Sequence, residues 1–125
     1  NATSGIGIKK SEIKQCIYDV LISEVNIENI IVSTEIPKLS VAPATIRLAG
    51  AEAELVGMMA RDQRLRRALE RVKNKFDYIL IDCPPSLGNL TLNALAAADS
   101  IIVPIQCEYY ALEGLSQLIK TVQLV

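Results

Sequence analysis

The chain has 125 residues, with 13 basic and 14 acidic side chains for a net charge of −1, and half of its residues are hydrophobic while 22% are charged. That apolar fraction suits one globular domain, or part of one, burying roughly two-thirds of its unfolded surface, and it excludes a disordered segment. The near-zero charge argues against a surface built throughout to coat nucleic acid or anionic membrane, and the absence of histidine leaves carboxylates, hydroxyls and thiolates as the available acids, bases and metal ligands.

Residues 1–10 are small and glycine-rich (Thr3, Ser4, Gly5, Gly7) and read as loop. Ser11 is placed to cap a helix whose apolar residues Ile13, Ile17, Val20 and Leu21 recur at spacings of three and four. Two short β-branched runs, 30–34 and 39–42, flank Ile36-Pro37-Lys38 and predict a minor strand pair or a strand and turn. Helix formers from 46 to 56 and an apolar face of Leu65, Leu69 and Val72 between 61 and 73 predict two helices broken near Gly57.

The run 76–82 is continuously hydrophobic between Tyr78 and Ile81 and ends abruptly at Asp82, which suits a strand buried on both faces. A helical stretch around 91–98, a second continuous run at 100–105 and a helix from about Tyr109 onward follow. Strand, helix, strand, helix predicts βαβ units in a parallel sheet covered on both faces, an α/β fold. Cys16, Cys83 and Cys107 are too few and too far apart for a disulfide framework, and Cys83 and Cys107 read as buried, inert thiols. No stretch approaches the roughly 20 apolar residues of a membrane span. A cytosolic protein is expected. Because Asn1 opens the chain without methionine and Val125 falls inside an apolar helical pattern, a piece cut at both ends is also expected.

In open parallel sheets ligands bind beyond the carboxyl ends of strands, where Asp82 stands. A carboxylate there suits a hard cation such as magnesium; alternatively it is a strand-ending cap or turn former. Cys83-Pro84-Pro85-Ser86-Leu87-Gly88 then forms a stiff turn whose next backbone donors come from Ser86, Leu87 and Gly88. Amides just after a metal-binding aspartate suit a sensor of a terminal phosphate, with Gly88 supplying a positive φ or a close backbone approach. The alternative is a proline-rich loop that merely starts the next helix. Seven basic residues (Arg61, Arg64, Arg66, Arg67, Arg71, Lys73, Lys75) against Asp62 and Glu70 form either a DNA or partner contact or a solvated helix surface. No aromatic residue interleaves with them, so base stacking has no support.

Tyr78-Ile-Leu-Ile-Asp-Cys-Pro-Pro-Ser86, Leu92-Asn-Ala-Leu95 and Pro104-Ile-Gln-Cys-Glu-Tyr-Tyr-Ala-Leu-Glu-Gly-Leu115, with Ala42-Pro-Ala-Thr-Ile46 and Leu48-Ala-Gly-Ala-Glu52, resemble the ParA/Soj chromosome-partitioning ATPases over nearly the whole chain. The resemblance implies a P-loop NTPase-like parallel sheet with helices on both faces, incomplete here, in a single partial domain over 1–125. It further implies a deviant Walker ATPase using ATP and Mg²⁺, an ATP-dependent homodimer, nonspecific DNA binding and stimulation by a ParB-type partner. A cytoplasmic, nucleoid-associated protein with no membrane partner is expected.

By the same resemblance Asp82 is the Walker B magnesium ligand, Pro84, Pro85, Ser86 and Gly88 form switch II, and Glu108 is an interface candidate. The opening residues from Asn1 to Gly5 resemble text that follows an Asp-x-Asp-Pro-Gln-Gly motif. The family's glycine-rich Walker A loop and its lysines have no counterpart, since neither Gly-Lys-Ser nor Gly-Lys-Thr occurs. No catalytic residue is therefore assigned in this chain, which is expected to be inactive alone although the parent protein is an ATPase. Alternatives are a MinD-like membrane-positioning ATPase and a non-catalytic binding module lacking the phosphate loop. Marginal stability is expected, because a missing central strand leaves apolar sheet faces and an edge uncovered.

Overall fold

The computed structural model describes residues 2–107 and 109–125. The amino-terminal text expected as loop contains one helical turn, α1 (Ala2–Gly5), and a 3-10 turn over Lys10–Glu12. A tertiary contact holds that first turn: Thr3 is buried, and its hydroxyl accepts the Ala44 amide at 2.9 Å. Helix α2 (Ile17–Ser23) starts later than Ser11, because Asp19 provides the stronger start signal. Its carboxylate accepts the amide of the extended N-cap residue Cys16 at 2.9 Å, satisfying a donor that the helix cannot. Arg47 grips the same carboxylate at 3.1 and 3.3 Å and lies over the Tyr18 ring at 4.5 Å from its centroid.

Strands β1 (Val32–Ser33) and β2 (Ser40–Val41) form the expected pair, antiparallel with Val32 opposite Val41 and Ser33 opposite Ser40. The Thr34 hydroxyl donates to the Leu39 carbonyl at 2.8 Å across the turn that holds Pro37. Helices α3 (Leu48–Leu55) and α4 (Arg64–Leu69) are broken across Gly57 as the composition predicts. Helix α5 (Asn89–Ala97) packs on both α3 and α4, and α2 packs on the same two. Val20, Ile27, Ile30 and Val72 form the buried core, with Ile17, Val25, Ala68, Leu69 and Phe76 packed around it.

Asn93 is a buried polar joint between α5 and α4. It is 1% exposed; its amide nitrogen donates to the carbonyls of Arg61 at 2.6 Å and Asn89 at 2.9 Å, and its oxygen accepts the Leu65 amide at 3.1 Å. Three partners satisfy it without solvent and tie α5 to the start of α4.

The runs 76–82 and 100–105, expected as buried strands, make no ladder hydrogen bonds with any strand among the described residues. Their exposure nonetheless alternates with the period of a strand: Tyr78, Leu80 and Ile102 are 87%, 84% and 82% exposed, against 38%, 41% and 37% for Ile79, Ile101 and Val103. The reason is one-sided cover. Helix α6 (Tyr109–Leu124) brings Leu118, Ile119 and Val122 to Ile101 and Val103, and Leu95 and Ala96 of α5 share a cleft with Ile101, whereas nothing among the described residues covers the opposite face. Among the described residues no helix is long and apolar enough to cross a membrane.

Two stability effects follow from these joints. Asn93→Ala strands a buried amide and two carbonyls and lowers unfolding stability by about 1–3 kcal/mol, read as a shift in the denaturant midpoint at constant slope. For Asp19, burial pulls the carboxyl up, but the Cys16 amide and Arg47 outweigh it and hold it below the ordinary 3.8. A depressed folded-state value gives stability that is present above pH 3.8 and lost as pH falls through the lower folded value. Denaturant titrations across that acid range show a smaller loss for Asp19→Asn than for the parent chain.

Candidate functional site

Asp82 ends the first strand-like run with its side chain exposed, and the loop to Gly88 leads straight into α5. Pro84 and Pro85 carry no N–H, so the loop's donors begin at Ser86. Among the described residues the amides of Ser86, Leu87 and Gly88 donate to no protein acceptor, while the Ser86 carbonyl accepts the Thr91 hydroxyl. Three consecutive donors of this loop thus have no protein acceptor among the described residues.

The start of α5 is closed to such a ligand. Glu52 of α3 places its carboxylate on the first two amides of α5, accepting from Asn89 at 2.7 Å and Leu90 at 3.0 Å, and its own carbonyl accepts the Asn89 side chain at 2.9 Å. Gly88 makes room for it. A Cβ at that position would stand 2.5 Å from Glu52 Oε1 and 2.6 Å from Oε2, and φ at Gly88 is −83°, so the residue serves close approach rather than positive φ.

Magnesium keeps several waters and takes one or two protein carboxylates with substrate phosphates, whereas calcium or zinc sites gather several side chains. Among the described residues no group of three or more Cys, Asp or Glu side chains is placed to hold a metal. One exposed carboxylate followed by free amides fits the magnesium-phosphate pattern. Although Cys83 is exposed as a residue, local burial of its thiol and then the neighbouring Asp82 charge push that thiol up. Cys83 and Cys107 are exposed, contrary to the expectation of buried thiols; Cys16 is the buried one. The adjoining sequence places the first two in loops that none of the described helices covers.

Asp82, Pro84, Pro85, Ser86 and Gly88 lie along one contiguous loop between the first strand-like run and α5. Glu108, the interface candidate, lies outside the described residues. In the basic segment, Arg61 donates to the Val56 carbonyl at 3.0 Å, Arg64 to the Leu21 carbonyl and to Glu24 at 3.1 Å, and Lys73 and Lys75 pair with Glu70 and Glu28. The exposed Lys73 and Lys75 pairs favour the solvated-surface reading, whereas the Arg64 side chain, 11% exposed, packs against the end of α2. Sequence reasoning missed Glu52 and Asn93. An asparagine amid the apolar residues of α5 signals a buried polar joint, but Glu52 finds its partners 37 and 38 positions away and carries no local signal.

All 125 residues match the family model AAA_31, an AAA domain. The chain is 61% identical over its full length to the sporulation initiation inhibitor protein Soj of Bacillus subtilis, covering 49% of it, and 57% identical to the chromosome partitioning protein ParA of Myxococcus xanthus, covering 44%. It thus spans about half the length of the curated relatives it matches. Among solved structures, cobyrinic acid a,c-diamide synthase of Mycobacterium smegmatis with bound ADP and magnesium superposes with a TM-score of 0.89 at 40% identity, over 97% of this chain and 49% of that one. The described α/β elements are those of a P-loop NTPase of the ParA type. By the match of its whole length, the chain belongs to the AAA_31 family of AAA domains, alongside Soj and ParA partitioning proteins.

Proposed function

We propose that this chain is the central part of an ATPase that partitions chromosomal or plasmid DNA, and that its loop from Asp82 to Gly88 responds to the terminal phosphate of ATP. The observation that carries the reading is the loop itself: an exposed carboxylate, two prolines that remove competing donors, then three amides with no protein acceptor among the described residues. Hydrolysis removes the group such amides would hold, which is the chemistry of a switch. The bound ADP and magnesium of the Mycobacterium smegmatis neighbour support the same ligand class.

Asp82 would hold magnesium, which when bound neutralises charge on the phosphate oxygens. The residues of this chain do the rest: the prolines stiffen the loop, the Thr91 hydroxyl fixes the Ser86 carbonyl, and Ser86, Leu87 and Gly88 present N–H groups to an anion. The single partial domain extends over 1–125, and strands from elsewhere in the gene product pair with the runs 76–82 and 100–105. Their exposed apolar faces and the half-length coverage of Soj and ParA support this arrangement. The deviant Walker lysines, ATP-dependent dimerisation, nonspecific DNA binding, stimulation by a ParB-type partner and association with the nucleoid belong to the same proposal, supported by the identity to those partitioning proteins.

The 125 residues alone bind ATP weakly and do not hydrolyse it, because a helix N-terminal amide cradle and lysines supply most of the attraction for a triphosphate and no Gly-Lys-Ser or Gly-Lys-Thr occurs in them. Calorimetric titration of this chain with MgATP yields no measurable heat of binding; a tight, saturable isotherm contradicts the proposal. In the full gene product, Asp82→Asn lowers the rate of phosphate release about 100-fold or more at saturating MgATP. A rate equal to that of the parent protein removes Asp82 from the magnesium site.

A further inference from the structure

We infer that Glu52 is a positioning residue for the phosphate-facing loop, acting as a carboxylate latch that sets where the Gly88 amide points. The inference rests on the proposed function for its consequence in hydrolysis, while the latch itself stands on geometry. Three hydrogen bonds join one residue of α3 to the first two residues of α5: the carboxylate accepts from the Asn89 and Leu90 amides at 2.7 and 3.0 Å, and the main-chain carbonyl accepts from the Asn89 side chain at 2.9 Å. The Gly88–Asn89 peptide is planar, so holding the Asn89 amide leaves only the two dihedrals of Gly88 between the latch and the Gly88 N–H. Those dihedrals are φ −83° and ψ −172°.

Gly88 and Glu52 form a matched pair. With no Cβ at Gly88 the carboxylate reaches the amides; with one, its nearest atoms would be the three terminal atoms of Glu52 at 2.5, 2.6 and 2.7 Å. Those atoms end a flexible side chain, so Gly88→Ala displaces the carboxylate rather than the backbone. Glutamate is also suited by charge, since an anion at a helix N-terminus meets the positive end of the dipole. A carboxylate accepts both amides at once. The carboxamide of a Glu52→Gln variant keeps one acceptor oxygen and turns an N–H₂ toward the other amide.

A second consequence concerns the ligand. Because Glu52 occupies the start of α5, the phosphate is confined to the amides of Ser86, Leu87 and Gly88 and does not slide onto the helix. The anion in the site and the anion of the ligand sit on adjacent, separate sets of donors. Loss of the carboxylate removes both the orientation of the loop and this exclusion.

The test uses the full gene product as Glu52→Ala, Glu52→Gln, Gly88→Ala and the Glu52→Ala/Gly88→Ala double variant. Hydrogen exchange without nucleotide reads the latch directly: Asn89 and Leu90 lose protection in all four, least in Glu52→Gln, with α2 and α4 unchanged. Steady-state hydrolysis reads the consequence: kcat per nucleotide bound falls at least about tenfold while nucleotide affinity holds, as expected for a misplaced group rather than a lost one. The double variant is no worse than either single one, because both break the same link. Unchanged protection of Asn89 and Leu90 in Glu52→Ala overturns the latch, as does kcat at the parent level or additive losses in the double variant. A parent protein that hydrolyses no ATP overturns the proposed function instead, and the exchange data then decide the latch alone.

Discussion

A helix that begins inside a protein needs acceptors for its first amides, and for α5 that acceptor is the carboxylate of Glu52. The site depends on this contact. It fixes α5 against α3, requires a glycine at position 88, and leaves the three preceding amides as the loop's unspent donors. Asn93 repeats the device one turn later by capping the start of α4 through the Leu65 amide. Two polar side chains thus assemble α3, α4 and α5 into a base from which the loop projects.

The other side of the molecule shows what a buried parallel strand requires. Helices α5 and α6 cover one face of the run containing Ile101 and Val103, while Tyr78, Leu80 and Ile102 stand exposed. A run continuous in Ile, Leu and Val minimises its free energy only with helices on both sides and a strand along each edge. In this chain the helical layer is present and holds a small core of Val20, Ile27, Ile30 and Val72, whereas the sheet layer is represented by its strand-like runs. Such a balance accounts for an α/β fold whose only ladder among the described residues is the β1–β2 pair.

Much of this was legible in the residues. Apolar spacing located α2 and α4, small helix formers located α3, helical stretches were expected where α5 and α6 stand, and the β-branched runs around Pro37 located the hairpin, because those signals are local. The loop from Asp82 to Gly88 was legible for the same reason: two prolines and a glycine act on their own backbone. The start of α2 was misplaced because Ser11 resembles a cap, whereas Asp19 gains both the Cys16 amide and Arg47, a partner 28 residues away. Glu52 was invisible because nothing within a turn of it hints at α5. Gly88 left two readings open, positive φ or close approach, and only the position of Glu52 decides for the second. Cys83 and Cys107 were misjudged because their burial depends on strands pairing, which a residue pattern assumes rather than guarantees.

The most direct measurement is a crystal structure of the full gene product with a non-hydrolysable ATP analogue and magnesium. The account predicts the terminal phosphate within hydrogen-bond distance of the Ser86, Leu87 and Gly88 amides, magnesium on the Asp82 side, and Glu52 still seated on Asn89 and Leu90. A phosphate resting on the Asn89 and Leu90 amides in place of Glu52, or a nucleotide remote from the loop, would contradict it.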